Sequence, residues 1–433
     1  MSEDFLQFIW EHQLMDSANL FTLHGEPVKI LEPGQRNHDS GPDFFNAKVK
    51  IGDTLWAGNV EIHRHSSDWY RHQHQGDEAY DSIILHAVHQ FDQPVFRENG
   101  EEIPTIVMNY PIHLAENYRR LLTAKTWIPC QNRFHAMDPV QLKIGFNRLM
   151  IERLQDKTAE IRDKLTQNQF NWTETFYQLL ARNFGFKINR LPFELLARSL
   201  PFTVAARHRN DLFQMEALFF GQSGLLHEEL LGDDYYLKLR DEYGFLHKKY
   251  DLRPISAHLW KFLRLRPVNF PTLRIAQFAA LMSTSDNLFA ELLETADPGS
   301  LLSGYHVQAS EYWDTHYRFN YTGKKKIKRL GTEALNNIII NTVVPFLYLY
   351  GEMNSVPHLR ERALEWMDTL PPENNSVTEQ WRNLGVQPRS AFESQALLLL
   401  KSKYCDTRQC LRCHIGNKLI RHNPALETGT GIE

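Results

Sequence analysis

Two acidic residues, Asp43 and Glu61, are the first candidates for chemistry because the sequence between them predicts two neighbouring strands. Residues 48–51 alternate polar and apolar side chains, a Gly-Asp pair interrupts the run, and residues 55–62 resume an extended pattern. Side chains on adjacent antiparallel strands meet when the register matches, and two carboxylates held in this way either repel each other or share a cation. The spacing therefore predicts a site for a hard, oxygen-binding cation such as Mg2+ or Mn2+.

The same stretch resembles the signature of the PD-(D/E)xK, or restriction-endonuclease-like, nuclease superfamily, through Pro42-Asp43 and then Glu61-Ile62-His63. The resemblance covers the first part of the chain and implies an α/β domain in the order helix, three strands, helix, strand. It also implies metal-assisted hydrolysis of phosphodiester bonds, with one or two Mg2+ ions held by Asp43 and Glu61. His63 stands where the superfamily has lysine and is the third expected catalytic residue. More broadly, the chain is similar to a bacterial family known as a domain of unknown function, which implies no activity.

The histidine at position 63 has a consequence for pH. A lysine is a fixed cation, whereas a histidine has an ordinary pKa of about 6.5 and can change its charge near neutral pH. The carboxylates of Asp43 and Glu61 would raise the pKa of His63, and a bound divalent cation would lower it. With metal bound we expect the cation to dominate, so that His63 is neutral near pH 7 and activity appears as the pH rises through roughly 6 to 7.

This region is also rich in histidine, with six in a short stretch: His63, His65, His72, His74, His86 and His89. Each alone is typical of an exposed or a hydrogen-bonded histidine, and His86, within an apolar strand pattern, is predicted to be a core residue. As a group they could supply nitrogen ligands or orient the ligands of a metal. The candidates for these roles are His65, His72, His74 and Asp77. A zinc-dependent hydrolase that uses the histidines is therefore the alternative to the magnesium site.

Cysteine spacing predicts a second metal site. Three cysteines near the carboxy terminus have the spacing C-x4-C-x2-C and a fourth lies far upstream: Cys405, Cys410, Cys413 and Cys130. In a reducing compartment, clustered cysteines indicate metal or redox chemistry, and four thiolates suit structural zinc or an iron–sulfur cluster. His414 is a further candidate ligand, and four buried thiols without a ligand are the alternative. Superfamily nucleases that hold a four-iron cluster through one upstream cysteine and a carboxy-terminal trio are similar, although their trio is spaced differently and their upstream cysteine precedes the nuclease motifs.

Two regions of different character must position these residues. Residues 1–113 read as one α/β unit, with a short helix, the strands described above and further strands near 82–89 and 103–108. Residues 114–433 are mostly helical and contain the carboxy-terminal cysteines. The predicted fold class is therefore α+β, with a domain at 1–113 that the resemblance implies is restriction-endonuclease-like. Helical stretches are predicted at 173–184, 192–200, 211–220, 234–249, 272–282, 333–349, 357–370 and 390–403.

Composition limits the partners. The chain has 433 residues and a net charge of -4, which excludes a uniformly basic nucleic-acid binder. Two local basic segments could contact a phosphate backbone, and the aromatic residues Trp260, Phe262 and Phe270 of the first could stack on bases. The basic residues are Lys261, Arg264, Arg266 and Arg274 in the first segment and Lys324, Lys325, Lys326, Lys328 and Arg329 in the second. A non-catalytic module that binds nucleic acid or a protein is the alternative, motivated by the missing lysine.

Localisation follows from the absence of targeting signals. The amino-terminal sequence MSEDFLQFIWEH is acidic and lacks the basic and apolar regions of a signal peptide. The most apolar long run, residues 337–350, contains polar residues and a proline and is too short to cross a bilayer. The sequence therefore predicts a cytoplasmic protein without a membrane partner, and it predicts no particular oligomeric state.

Overall fold

The computed structural model describes residues 2–16, 19–136, 139–226, 232–284 and 287–423. The chain forms two compact units, the first from residues 1–145 and 400–433 and the second from residues 146–399. The first unit contains a mixed β-sheet, and the second is largely helical. The predicted class, a mixed α+β protein with an N-terminal sheet region and a mostly helical remainder, is confirmed.

The sheet of the first unit positions the acidic residues. Among the described residues its strands are β1 (Val28–Glu32), β2 (Gln35–Arg36), β3 (Phe44–Ile51), β4 (Thr54–His65), β5 (Ile83–Gln90) and β6 (Thr105–Val107). Their order is β1-β3-β4-β5-β6, and β2 pairs with β3. Strands β3 and β4 are antiparallel, whereas β5 runs parallel to both of its neighbours. The predicted strands are thus present.

Local sequence explains the two central features of this sheet. Strand β3 alternates buried and exposed residues, as expected for a strand with one face toward a core. Strand β5 is buried at six consecutive residues, as expected for a central parallel strand covered on both faces. The turn between β3 and β4 has two residues, and its first, Gly52, has a φ of +58°, which glycine adopts without strain.

The described residues also form nineteen helices. They are α1 (Glu3–Glu11), α2 (Asp68–Arg71), α3 (Ile112–Thr123), α4 (Pro139–Gln167), α5 (Trp172–Phe184), α6 (Arg190–Ser199), α7 (Phe202–Ala206), α8 (Leu212–Gln222), α9 (Asp234–Tyr250), α10 (Pro271–Thr284), α11 (Leu288–Glu294), α12 (Pro298–Tyr305), α13 (Tyr312–Thr315), α14 (Thr332–Ile338), α15 (Val344–Met353), α16 (Pro357–Thr369), α17 (Ser376–Asn383), α18 (Ala391–Leu399) and α19 (His414–Arg421). The predicted helical stretches fall in these helices or in the π-helical segments Ile339–Val343 and Leu400–Cys405. The second unit also has a small hairpin of β7 (His316–Arg318) and β8 (Tyr321–Thr322).

The first unit extends beyond the predicted boundary at residue 113 and includes the carboxy-terminal segment. The reason is packing: α3 and α19 share one hydrophobic core with α1 and the sheet. The Asn117 amide on α3 donates hydrogen bonds to the carbonyl oxygens of Ile420 (3.1 Å) and His422 (2.9 Å). A division between residues 113 and 114 would therefore cut through this core, which differs from the division expected from the sequence.

The second unit is built around α10, which is buried at twelve consecutive residues, Pro271 to Met282. A helix that is buried all round lies in the centre of a large core. One helical stretch among the described residues, Thr332–Met353, is long and apolar enough to cross a membrane by length and composition alone. However, 72% of its apolar window is buried inside the protein, as in the core helix of a soluble protein.

Candidate metal centre

Asp43 and Glu61 meet at one end of the β3–β4 pair. Asp43 precedes β3, and Glu61 lies on β4 one residue beyond the partner of Phe44. Each carboxylate accepts a hydrogen bond from the backbone of the other strand: Glu61 Oε2 from the Asp43 N–H (3.0 Å) and Asp43 Oδ2 from the Ile62 N–H (3.1 Å). The two carboxylates predicted to converge are therefore held together by main-chain contacts.

Burial makes both carboxyl groups weak acids. Glu61 is 5% exposed, and burial raises its pKa to about 8. Burial, and then the neighbouring charge of Glu61, raises the pKa of Asp43 to about 7. Two buried carboxylates repel each other when both are ionised, and a divalent cation bound between them would offset that repulsion. Binding of a cation here would release protons near neutral pH.

Three histidines form what we call the histidine cluster, and two of them lie beside the Glu61 carboxylate: His63, His72 and His74. One ring nitrogen from each lies within 4.8 Å of the others. His63 Nε2 is 3.1 Å from His72 Nδ1, and both His63 Nε2 and His74 Nε2 lie about 3.5 Å from Glu61 Oε1, at 3.5 and 3.4 Å. His74 Nε2 is buried and has no hydrogen-bond partner. The three ring nitrogens thus lie close together, and two of them lie beside the Glu61 carboxylate.

His86 supports the histidine cluster from behind. It is fully buried, and its Nε2 lies 2.9 Å from His63 Nδ1. In the parallel pairing of β4 with β5, His86 is the partner of Glu61, which places both side chains on the same face of the sheet. It is buried, as the apolar strand pattern predicted, and it also contacts the site. A proton on His63 Nδ1 that is donated to His86 would leave His63 Nε2 free to bind a metal.

The electrostatics of His63 differ from the expectation. Burial, and next the imidazole of His86, lowers the pKa of His63 far below its usual range. Burial also lowers the pKa of His86, to about 3, and that of His74. His63 is therefore neutral at pH 6 even without a cation, because desolvation outweighs the attraction of the carboxylates. The groups of this site whose pKa values are raised into the range near pH 7 to 8 are the carboxyl groups of Asp43 and Glu61.

The other predicted residues lie outside this group. His65 is half-buried, and its Nδ1 is 3.8 Å from Asp68. Asp77 is exposed and accepts a hydrogen bond from the Ala79 N–H, which caps a short 3-10 turn. His89 stacks on Tyr110.

Two contributors to the site were missed by sequence reasoning, Gln7 and Tyr80. Gln7 on α1 donates a hydrogen bond to Asp43 Oδ1 (2.7 Å) and accepts one from Arg36 (2.5 Å). Tyr80 stacks on His74 with ring centroids 3.8 Å apart, and so fixes the orientation of that imidazole. Gln7 could have been found from the sequence because it is the one polar residue in the apolar run FLQFIW at positions 5–10.

The four cysteines come together in the first unit. Cys405, Cys410 and Cys413 are buried and Cys130 is half-buried, all as free thiols. Burial, and then the charges of Cys413 and Cys410, raises the pKa of Cys130 to about 12. The pKa of Cys410 is raised to about 11, chiefly by burial and next by the charge of Cys413. The pKa of Cys405 is also raised, chiefly by burial and next by the charges of the other three cysteines. Such mutual influence requires short separations, so the upstream cysteine lies near the carboxy-terminal trio.

The chain around the trio is shaped for close packing. A Cβ atom at Gly416 would lie 2.2 Å from the Cys410 carbonyl oxygen, so only glycine lets this loop rest on the first turn of α19. Cys413 is the residue that precedes α19, where the helix dipole favours a thiolate. His414, the other predicted ligand, is exposed on the first residue of that helix. The arrangement favours Cys130 over His414 as the fourth member of the set.

Comparison with known proteins gives a family and no activity. A family profile with the description "Protein of unknown function (DUF2851)" matches residues 3–376. The chain belongs to this family. No curated protein and no solved structure matches it. The matched residues contain Asp43, Glu61, the histidine cluster and Cys130, and they end before the carboxy-terminal trio. The argument for function therefore depends on the geometry of the site.

The raised pKa values of Asp43 and Glu61 predict how stability depends on pH in protein stripped of metal. A carboxyl group whose pKa is raised by folding stabilises the native state below its ordinary pKa and loses that contribution as the pH rises through the folded value. The lowered pKa values of His63 and His86 act oppositely, but only below about pH 6.5. Between about pH 6.5 and 8 the carboxyl effect remains alone, so we expect the unfolding temperature of the first unit to fall.

Calorimetry of the chelator-treated protein at several pH values in this window checks the expectation. Glu61→Gln keeps a hydrogen-bond acceptor for the Asp43 N–H but cannot ionise, so its unfolding temperature should exceed that of the wild type by a margin that grows with pH. The exposed Glu98→Gln serves as the control and should follow the wild type. A constant difference between Glu61→Gln and the wild type from pH 6.5 to 8 would contradict the assignment.

Proposed function

We propose that this protein is a metal-dependent hydrolase that cleaves phosphodiester bonds of nucleic acid. The observation that carries the proposal is the histidine cluster, two of whose rings lie beside the Glu61 carboxylate, which in turn accepts a hydrogen bond from the Asp43 N–H. Most of this site is buried, yet His72 is exposed, so solvent reaches the histidine cluster at that residue. Buried groups with strongly shifted pKa values at a partly open site are characteristic of catalytic centres.

The donor set fits a divalent transition metal. Glu61 Oε1, His63 Nε2, His72 Nδ1 and His74 Nε2 would hold it, and the unpartnered nitrogen of His74 is explained by that role. Imidazole nitrogens suit Zn2+ and tolerate Mn2+, whereas Mg2+ prefers oxygen ligands. The histidines therefore favour zinc or manganese over the magnesium that the carboxylates alone suggested.

The residues of the chain would divide the chemistry as follows. A bound divalent cation supplies positive charge for a phosphate group and lowers the pKa of water. His63 would donate a hydrogen bond from its Nδ1–H to His86 Nε2, and this bond would orient the His63 ring. Asp43 lies beside the Glu61 carboxylate and is suited to accept a proton from the attacking water. Gln7 holds the carboxylate of Asp43 in place.

Two further observations support nucleic acid as the substrate. The first unit has the element order that the resemblance implies: α1, then the β1, β3 and β4 meander, then the short helical turns at residues 68–80, and then β5 parallel to β4. In addition, Asp43, immediately before β3, and Glu61, on β4, are the acidic residues that the resemblance assigns to the nuclease signature. A non-catalytic module with the same fold remains the competing outcome for the test below.

The test is a comparison of His72→Ala with His65→Ala in the full chain. Both substitutions remove a histidine that is not fully buried, but of the two residues only His72 belongs to the histidine cluster. Loss of one metal ligand should reduce metal retention and cleavage by at least about 100-fold, whereas His65→Ala should stay near the wild type. Metal content is measured after dialysis, and cleavage is scored on labelled single- and double-stranded DNA and RNA with Zn2+, Mn2+ or Mg2+. A wild type that binds metal but cleaves none of the four substrates would exclude the nuclease.

We also propose that the four cysteines hold a metal centre that stabilises the first unit. Four thiolates suit either an iron–sulfur cluster or a single zinc ion.

A further inference from the structure

The second unit contains a cavity of about 870 Å3 that joins the two basic segments of the sequence. Arg266 and Arg274 of the first segment and Lys326, Lys328 and Arg329 of the second all line it. Pockets for small molecules typically have volumes of about 300–1,000 Å3. The cavity is therefore large enough for a ligand of that class, and its basic lining comes from parts of the chain that are far apart in sequence.

Positive charge dominates this cavity. With Lys187, six cationic side chains line it, against two carboxylates, Glu333 and Glu373. Glu373 already accepts hydrogen bonds from the Gln395 and Asn375 amides. No carboxylate of the described residues forms an ion pair with any of the six cations. Lys328 donates to the Trp313 and Asp314 carbonyl oxygens, and the Asp314 carboxylate acts on it at longer range. The cavity therefore lacks the anion that its charges would attract.

Arg274 is the strongest sign of a missing anion. It lies on the central helix α10 and is 7% exposed. Its guanidinium donates hydrogen bonds to the neutral side chains of Gln277 (3.0 Å) and Asn269 (2.7 Å), and its Nε has no partner. Burial lowers the pKa of Arg274 to about 10, so it stays charged at neutral pH. A buried cation without a counter-charge is costly, and a bound anion would offset that cost.

Flat and apolar groups lie beside these charges. The Phe186 ring packs against the Arg274 guanidinium at 4.7 Å, and Tyr317 lies under the Lys328 ammonium at 4.2 Å. Ile327 also lines the cavity and is 52% exposed. The aromatic residues that the sequence suggested for stacking serve elsewhere: Trp260 is in the core and donates to the Ser223 carbonyl oxygen, and Phe262 and Phe270 are covered by the Arg318 guanidinium.

We propose that this cavity binds a nucleotide through its phosphate groups, with Arg274 as the buried anchor. The cations around the rim contact the remaining phosphate oxygens, and the apolar surface receives the base. The same chemistry is offered by a free nucleoside phosphate and by the phosphorylated end of a nucleic-acid strand. The inference does not depend on the metal centre, because the cavity is lined only by residues of the second unit.

The test measures binding by the full chain in the presence of a chelator, so that no cleavage contributes. The probes are ATP, pyrophosphate, inorganic phosphate, and a single-stranded tetranucleotide with and without a 5′-phosphate. Lys326→Glu should weaken binding of the nucleotide probe by roughly tenfold or more. Lys325→Glu makes the same charge change in the same exposed segment but outside the cavity lining, and should change binding by less than about twofold.

Arg274→Gln should also weaken binding by at least roughly tenfold, with circular dichroism to establish that the helical unit is folded. Binding of ATP identifies a free nucleotide as the ligand, and binding that requires the 5′-phosphate of the tetranucleotide identifies a strand end. Either result supports the proposal. It is overturned if no phosphorylated probe binds at millimolar concentration, or if Lys325→Glu weakens binding as much as Lys326→Glu does.

Discussion

Glu61→Gln is expected to reduce metal-dependent cleavage by about 10³-fold or more, because it removes the one carboxylate oxygen among the converging ligand atoms. The chain should stay folded, since glutamine can still accept the hydrogen bond from the Asp43 N–H. Removal of one of two buried like charges also relieves repulsion in the metal-free site. The variant is therefore expected to be inactive and, without metal, more stable than the wild type.

Cleavage rates and metal content of Glu61→Gln, measured together, separate a functional from a structural role. Glu98→Gln, an exposed substitution of the same kind, should keep both properties. If Glu61→Gln unfolds, or loses several kcal/mol of stability in the metal-free state, the carboxylate is structural and the site assignment fails. If it keeps its metal and its rate, Glu61 does not belong to the site.

Cys410→Ser is expected to have the largest effect on stability. Binding free energies of structural metals are on the order of 10 kcal/mol, and they add to the stability of the folded state. Loss of the centre should lower the unfolding temperature of the first unit by more than about 10 °C. In chelator-treated protein the same substitution should have little effect, because a serine hydroxyl replaces a buried thiol of similar size.

Elemental analysis and a visible spectrum of anaerobically purified protein identify the centre. Iron with inorganic sulfide and a broad visible absorption would identify the centre as an iron–sulfur cluster. One zinc per chain would identify it as a single zinc ion. Cys130→Ser and His414→Ala then define the fourth ligand: only the former should lose the metal. If the wild type retains no stoichiometric metal, the four cysteines are buried thiols without a ligand and the proposed metal centre is wrong.

The alternation of polar and apolar residues was enough to predict the strands and the proximity of the Asp43 and Glu61 carboxylates. Alternation in residues 48–51 and a Gly-Asp turn define a hairpin, and the hairpin sets which side chains face each other. The helical stretches followed from periodicity in the same way. The role of His86 could not be predicted, because its facing Glu61 depends on the parallel register of β4 with β5.

The remaining differences arise from contacts that are distant in sequence. The boundary at residue 113 was placed where the pattern changes, but the core of the first unit is completed by residues of α19. The pKa of His63 was predicted from two opposing charges, its acidic neighbours and a bound cation, whereas its burial, which a sequence does not reveal, lowers this pKa even without a cation. Trp260 was a candidate for base stacking, although tryptophan is more often a core residue, and its burial and its hydrogen bond to the Ser223 carbonyl oxygen place it in the core.

The return of α19 to the first unit has a consequence for the order of folding during synthesis. Residues 146–399 form a compact unit from one continuous stretch, so they can fold as soon as they leave the ribosome. The first unit is synthesised earlier but needs Ile420 for its core and Cys410 for its cysteine set. The β-sheet must therefore wait, incompletely covered, while the intervening 254 residues are made. A chain interrupted before residue 420 would expose that apolar surface and become a substrate for chaperones or proteases.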